Sequence, residues 1–290
     1  MSLASRSSGI PYHAPAELTP RVTDLVRLGR NSDGGYLVPK HVLYEIEGCL
    51  SLGLGTEWSF EAALIKYRKG SVKSKDILFI DASISILGII KFLIYMARRT
   101  FYEIRMRKPR TQWKYNRYDL RKAIVALVLY LPTFHLRKNS FRHIRKFVVS
   151  EAHGKEQIGF LEALSCGSDL THTIVKIDIE GGEWDLLGGS EQVGLLREVP
   201  IFIVEFHDTR RRSFMDAVGL LKKHFWIAHI HGNTSGGCSE EGMPLYVEMT
   251  FVNNRFSPGT GIRKSLPIDG LDFPGRPGEV PYRFVFGDAT

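Results

Sequence analysis

Short apolar runs rich in β-branched side chains recur along the chain and alternate with segments whose apolar residues have helical spacing. Such runs are typical of buried strands. The clearest lies at 174–179, because it stops at two glycines before a helix that opens with Trp184. About seven strands with intervening helices predict a doubly wound α/β sheet. We interpret as strands the runs at 48–55, 77–81, 147–150, 174–179, 201–206, 226–231 and 245–252.

Glycine-rich segments separate some of these runs and predict turns. Asp33, Gly34 and Gly35 lie between two short apolar pieces, as in a hairpin turn. Residues 232–237 predict a glycine loop, and the chain after 256 has so little periodicity that we expect it to wrap the surface. We therefore divide the chain into an N-terminal segment with the turn, residues 1–47, and one α/β domain at 48–290.

Composition indicates a globular protein from a reducing compartment. Hydrophobic residues make up 43% of the 290 positions, enough for a substantial core. Cys49, Cys166 and Cys238 are far apart and without CxxC spacing, which argues against a disulfide framework or a zinc knuckle. The first 17 residues contain no apolar run, so we expect neither a signal peptide nor an anchor. A cytoplasmic protein is the simplest expectation.

The net charge of +8 is concentrated in one segment that interrupts the domain at about 83–143. Residues 98–146 carry 15 Lys and Arg against Glu103 and Asp119, a net +13, which leaves −5 for the rest of the chain. Its apolar runs, 84–97 and 123–131, are shorter than the ~20 residues that span a bilayer. We expect a helical cap. Its charges are either merely solvated or contact an anionic surface, such as a membrane, or an anionic ligand.

A glycine loop and an acid suggest a nucleoside site on the first two strands of the domain. Gly53 and Gly55 permit close backbone approach to a ligand at a helix N-terminus. Trp58 stands where a dinucleotide fingerprint needs its third glycine, which disfavours NAD. Asp81 ends the second strand, where an acid accepts hydrogen bonds from ribose hydroxyls. This pattern suits an adenosine ligand that lacks a pyrophosphate.

Several separated stretches, in this order, resemble the S-adenosylmethionine-dependent methyltransferases of the FkbM type. They cover residues 27–81 and 147–253, and they are RLGRNSDGGYLVP, SLGLGTEWSFE, LFIDAS, VKIDIEGGEWDLL, IVEFHDT, HIHGN and PLYVEMTFVN. The resemblance implies a class I methyltransferase fold, a Rossmann-like seven-stranded sheet whose last strand runs antiparallel. It also implies that S-adenosyl-L-methionine is the cofactor and lies over the first strands.

The resemblance further implies roles for individual residues. Gly53 and Gly55 would line the methionine end of the donor, Asp81 would hold the ribose, and Ser150 would lie near the adenine. The chain departs from the family pattern in its glycine motif, where Ser51 and Glu57 replace the usual acid and third glycine. Asp33 and Tyr36, from the predicted hairpin turn, are therefore further candidates for donor contacts.

Polar side chains at the ends of two later strands predict the reaction site. Open α/β sheets place their ligand crevice at the carboxyl ends of their strands. His207, beside Asp208, is the candidate general base that takes a proton from an attacking oxygen, and Asp178 and Glu180 would position the acceptor hydroxyl or the donor. His231 is either a second catalytic residue or a support for the 232–237 loop. Asp178, Glu180 and His207 could also hold Mg²⁺ or Mn²⁺, although a metal-free site is the first expectation.

These observations predict an O-methyltransferase that acts on a hydroxyl of a small molecule, a sugar or a lipid-linked glycan. One alternative is a nucleic-acid methyltransferase that uses the basic segment. We do not expect nucleic acid as the partner, because no recognised RNA-binding motif accompanies that segment. The other alternative is a nucleotide-binding or membrane-peripheral protein without catalysis. The sequence leaves the acceptor and the oligomeric state open.

Overall fold

The computed structural model describes residues 11–53, 57–82, 141–167, 169–276 and 278–287, with isolated positions between 94 and 124. Gly55 and nearly all of the predicted 83–143 cap lie outside the described residues, so the cap and its membrane contact stay predictions. In the described part of the chain no helix is long and apolar enough to cross a membrane.

Fourteen strands and six α-helices make up the described structure. The helices are α1 (Lys40–Leu43), α2 (Ser59–Tyr67), α3 (Phe160–Ser165), α4 (Glu183–Leu187), α5 (Ser190–Gly194) and α6 (Ser213–Leu221). The strands are β1 (Tyr12–Ala14), β2 (Leu25–Leu28), β3 (Tyr36–Pro39), β4 (Gly48–Leu52), β5 (Ile77–Ile80), β6 (Arg142–Ile144), β7 (Phe147–Val149), β8 (Gln157–Gly159), β9 (Thr173–Ile177), β10 (Ile201–His207), β11 (Phe225–Cys238), β12 (Pro244–Asn253), β13 (Ser265–Leu266) and β14 (Phe284–Phe286).

Seven of these strands form the main sheet, in the order β11-β12-β10-β9-β4-β5-β6. The neighbours from β10 to β6 pair in parallel, whereas β12 is antiparallel to both β10 and β11. The last strand of this sheet along the chain is therefore its antiparallel member, as the resemblance implied. The described chain has a methyltransferase-like α/β fold.

Both faces of the main sheet are covered, which explains why its central strands read as continuous apolar runs. One apolar cluster joins the sheet to α3, α4, α5 and α6. The cluster on the other face joins it to α1, α2 and the hairpin of β2 and β3. The predicted turn is confirmed, since β2 and β3 pair antiparallel and Gly34 has a φ of +87°. The described part of the 1–47 segment thus packs into the same core as the domain that follows it.

The edge strand of the sheet is not the one that the sequence predicted. The predicted strand at 147–150 corresponds to β7, which pairs with β8 in a separate two-stranded sheet. The strand beside β5 is β6, whose first two residues fall at the end of the predicted insert at about 83–143. Arg142 and His143 give β6 no apolar pattern, and the His143 ring lies 3.0 Å from the Asp81 carbonyl oxygen.

The glycine-rich residues 232–237 are part of strand β11 rather than a loop. A side chain at Gly236 would lie 2.5 Å from the Tyr246 ring, and one at Gly232 would lie 2.6 Å from Pro244. The glycines here therefore permit close packing against the neighbouring strand, not a turn. After 256 the chain also forms two short strands, β13 and β14, which complete a three-stranded sheet with β1.

Candidate functional site

A cavity of about 570 Å³ opens at the carboxyl ends of the parallel strands. It has the size of a cofactor or small-ligand site. It brings together seven of the ten predicted site residues, namely Asp33, Tyr36, Gly53, Asp81, Asp178, Glu180 and His207. Ser150 and His231 do not line it, and near the predicted adenine end its wall includes Phe147 and Val148.

Gly53 is where the ends of three strands meet. Its N–H donates to the Ile80 carbonyl oxygen at 3.0 Å, and the Asp178 N–H donates to the Leu52 carbonyl oxygen at 2.9 Å. Gly53 has a φ of +85°, and an added Cβ would lie 1.7 Å from the Asp178 carbonyl oxygen. Only glycine fits here, first of all because the backbone after β4 packs against the backbone after β9.

His207 is buried and held by Glu183, a carboxylate to which the sequence analysis assigned no role. One Glu183 oxygen accepts from the His207 backbone N–H at 2.7 Å and lies 3.1 Å from Nδ1, while the other accepts from the Gly181 N–H at 2.9 Å. Trp184 Nε1 donates to the His207 carbonyl oxygen at 2.8 Å. Burial lowers the pKa of His207, but the hydrogen bond and charge of Glu183, with Asp178 and Glu180, outweigh it and raise the pKa overall. The helix after β9 therefore fixes the imidazole at the end of β10.

The Nε2 edge of the His207 ring faces the two predicted carboxylates, Asp178 and Glu180. Nε2 lies 3.4 Å from a Glu180 oxygen and 4.0 Å from an Asp178 oxygen. Glu180 has a φ of 54°, a conformation that costs a non-glycine residue energy and is often found at functional sites. Burial raises the pKa of Asp178 to about 6, against the opposing charges of Lys176 and His207. The structure thus joins the three residues that the sequence proposed for the reaction.

A second acidic group, which the sequence analysis did not find, consists of Asp33, Glu205 and Glu248. Glu205 and Glu248 lie directly opposite each other on β10 and β12, and Asn233 donates to both, at 2.9 and 3.5 Å. Burial raises the pKa of Glu205 well above its ordinary value and that of Glu248 to about 7. Like charges in this register would repel, so the pair favours a shared proton at neutral pH.

His231 is held by the chain after residue 256 rather than by the cavity. It is 8% exposed, and its Nδ1 lies 3.4 Å from Asp272, which also contacts His229 at 3.1 Å. Burial lowers the pKa of His231, but the hydrogen bond to Asp272 and the charge of Glu248 raise it overall. These contacts fit the structural interpretation of His231.

A buried ion pair lies beneath the cavity, where the glycine motif departs from the family pattern. Lys176, in the middle of β9, is 3% exposed, and its Nζ lies 3.4 Å from Glu61 in α2. Ser51 donates to the same Glu61 oxygen at 2.5 Å. Glu61 thus brings a carboxylate next to position 51, although Glu61 itself does not line the cavity.

Two groups in the described residues bring three possible metal ligands together, with all donor atoms within 4.8 Å of one another. They are Asp178, Glu180 and His207, and Asp33, Glu205 and Glu248.

Comparisons with known proteins do not identify a family for this chain. No protein-family model and no curated protein matches the chain. The chain is similar to solved structures of Streptococcus pneumoniae Sp1610, described as a proposed tRNA (m1A22) methyltransferase. The complex of that protein with S-adenosyl-L-methionine has 13% identity over 76% of this chain and 74% of the other, with a TM-score of 0.33. A second structure of it has 12% identity over 77% and 73%, with a TM-score of 0.32. At such TM-scores neither donor nor acceptor transfers to this chain, and the FkbM resemblance stays a prediction.

Proposed function

We propose that this chain is an S-adenosyl-L-methionine-dependent methyltransferase. The observation that supports this most is that one cavity contains both the residues predicted to bind the donor and the residues predicted for the reaction. Gly53 and Asp81 follow β4 and β5, while Asp178 and His207 lie at the ends of β9 and β10. A donor over the first pair would direct its methyl group toward the second.

Asp81 is the residue that we expect to hold the donor. It is 6% exposed and lines the cavity directly after β5, where its carboxylate would accept hydrogen bonds from two ribose hydroxyls. The apolar side chains of Phe147 and Val148 would then contact the adenine, where the resemblance implied Ser150. Gly53, Asp33 and Tyr36 would face the methionine end.

Replacing Asp81 by Ala should weaken donor binding by about 1.5–3 kcal/mol, the value of a charge-assisted hydrogen bond. Calorimetry with S-adenosylhomocysteine measures this effect directly, and thermal unfolding checks that the variant is folded. Asp216→Ala is the matched control, because Asp216 is exposed on α6 and does not line the cavity. Equal affinity in the Asp81 variant and the wild type would remove the donor assignment.

The transfer itself requires that the acceptor lose a proton. In the transfer, a lone pair of the acceptor would form a bond to the methyl carbon while the carbon–sulfur bond of the donor broke. The electron pair of the broken bond would stay on the sulfur, which would become a neutral thioether. If Nδ1 donates to Glu183, a neutral His207 would present its Nε2 lone pair to the cavity. We therefore propose His207 as the base that takes the acceptor proton.

The charge of the cavity limits the kind of acceptor. Two lysines, Lys146 and Lys176, line it against six acids, which are Asp33, Glu57, Asp81, Asp178, Glu180 and Glu205. A phosphate would be repelled beside His207, whereas a hydroxyl or a nucleobase is uncharged. A hydroxyl-bearing small molecule, sugar or glycan is our first candidate. A nucleic acid is the second, because the sequence holds the +13 segment.

A labelled-methyl assay on cell extracts separates these two acceptors. With a hydroxyl acceptor, the label should stay in nuclease-resistant material and survive alkali, as an ether does. The nucleic-acid candidate predicts instead that ribonuclease releases the label, and that binding to an oligonucleotide falls steeply with salt. Label in the nuclease-sensitive fraction alone would replace the hydroxyl acceptor by the nucleic acid.

A further inference from the structure

We propose that Asp178, Glu180 and His207 form a binding site for a divalent metal ion, which presents an oxygen of the acceptor to the methyl donor. The role of the ion in methyl transfer rests on the proposed function, whereas the binding site itself rests only on the positions of the three residues. The three residues come from the ends of two neighbouring parallel strands, and their donor atoms lie within 4.8 Å of one another.

The distances fit the coordination shell of a small cation. Atoms bound at about 2.1 Å to one ion lie about 3.0 Å apart in cis positions of an octahedron and about 4.2 Å apart in trans positions. The observed separations from His207 Nε2 are 3.4 Å to Glu180 and 4.0 Å to Asp178. An ion in this gap can therefore meet all three ligands with only small side-chain movements.

The histidine supplies an independent observation. His207 is 7% exposed, and in the described part of the chain Nε2 makes no hydrogen bond. Its Nδ1 is held by the fully buried Glu183, so Nε2 is the ring nitrogen that faces the two carboxylates. A carboxylate that holds one nitrogen of a histidine while the other binds a metal is the usual arrangement around protein metal sites.

No basic side chain of the described residues fills the gap. Among the described residues, no lysine or arginine lies within 4.0 Å of the Asp178 or Glu180 carboxylate oxygens, since Lys176 pairs with Glu61. A single proton on His207 would leave one negative charge in the group, whereas a divalent cation balances both carboxylates. The mixture of two oxygen ligands and one nitrogen ligand suits Mn²⁺ and related first-row ions.

The geometry also defines a use for the ion. The cavity side of the group is open, and the Glu180 side chain is 85% exposed, so the remaining coordination positions face the acceptor half of the cavity. A bound cation would lower the pKa of an acceptor hydroxyl that it contacts, and the proton would leave to solvent past Glu180. The acceptor would therefore carry an oxygen that can bind a metal.

The test is the titration of Mn²⁺ alone into the chelator-treated full chain, with free Mn²⁺ followed by electron paramagnetic resonance. We expect one bound ion per chain, and an affinity at least about 10-fold weaker in His207→Asn and in Glu180→Gln. Glu180→Gln is the safer variant, because its side chain is exposed and its loss does not threaten the fold. Asp216→Asn and Glu248→Gln serve as controls and should bind as the wild type does.

Each outcome decides the proposal. Absence of saturable binding to the wild type overturns it, and so does binding that survives in His207→Asn and Glu180→Gln but disappears in Glu248→Gln. Donor binding is measured separately, by calorimetry on the chelator-treated chain. A chain that binds the donor but not Mn²⁺ would refute the metal site alone, and one that binds Mn²⁺ but not the donor would refute the proposed function alone.

Discussion

Replacing Glu61 by Gln is expected to lower the free energy of unfolding by about 3–5 kcal/mol, as the loss of one partner from a buried ion pair does. Lys176 would then stay in the middle of the sheet, 3% exposed, without the carboxylate 3.4 Å away. Burial lowers the pKa of Lys176, but the charges of Glu61 and Asp178 raise it overall. A raised lysine pKa stabilises the fold fully below the unfolded value of 10.5 and loses this effect only at higher pH. Urea unfolding at pH 7 therefore measures the whole contribution.

Two further variants make this result specific. The double variant Glu61→Gln/Lys176→Met should recover much of the lost stability, because it leaves no buried charge unpaired. Glu162→Gln, on the exposed side of α3, should change stability by less than about 0.5 kcal/mol. A loss below about 1 kcal/mol in Glu61→Gln would show that water or another group solvates Lys176 in the native state.

Replacing His207 by Asn is expected to lower turnover at least about 100-fold while donor affinity stays within twofold of the wild type. The Asn amide can still donate to Glu183, as Nδ1 does, so the variant keeps the buried contact and removes only Nε2. Initial rates with a labelled donor measure the loss, and calorimetry measures donor binding. His41→Asn, on the exposed side of α1, is the matched control and should leave both unchanged.

The same variant separates two roles for Nε2. If His207 binds a metal ion, a high Mn²⁺ concentration should restore part of the turnover, because two carboxylate ligands remain. If His207 only accepts a proton, added metal should have no effect. Turnover within about fivefold of the wild type would instead give His207 a structural role.

The parts of the fold that the sequence predicted are those buried on both faces. Residues 201–204 are apolar on both sides, and so are 174–177 apart from Lys176, because both faces of the sheet are covered. Strand β6 was not predicted because it lies at the edge of the sheet, where a strand does not have to be apolar. Two of its three residues, Arg142 and His143, are polar. The 232–237 segment was misread because glycine permits both turns and close strand packing, and only the neighbouring Tyr246 distinguishes the two.

The sequence predicted those residues of the candidate site that lie at the carboxyl ends of parallel strands. Asp178 and His207 both end parallel strands, and such ends meet at one edge of a sheet. Glu205 and Glu248 were missed because their contact depends on the antiparallel register of β12, which the residues themselves do not reveal. The two roles that the sequence left open for His231 could not be distinguished without the structure, because its contact with Asp272, 41 positions later, depends on the fold.

Strand β9 divides the cavity, and this division has an evolutionary consequence. Gly53 and Asp81, which we propose for the donor, follow β4 and β5 on one side of it, whereas Glu205, His207, Asn233 and Tyr246 belong to strands on the other side. Mutations in β10, β11 and β12 can therefore reshape the acceptor half while the donor half is inherited unchanged. A duplicated gene of this architecture could acquire a new substrate by drift in three adjacent strands and still use the same cofactor.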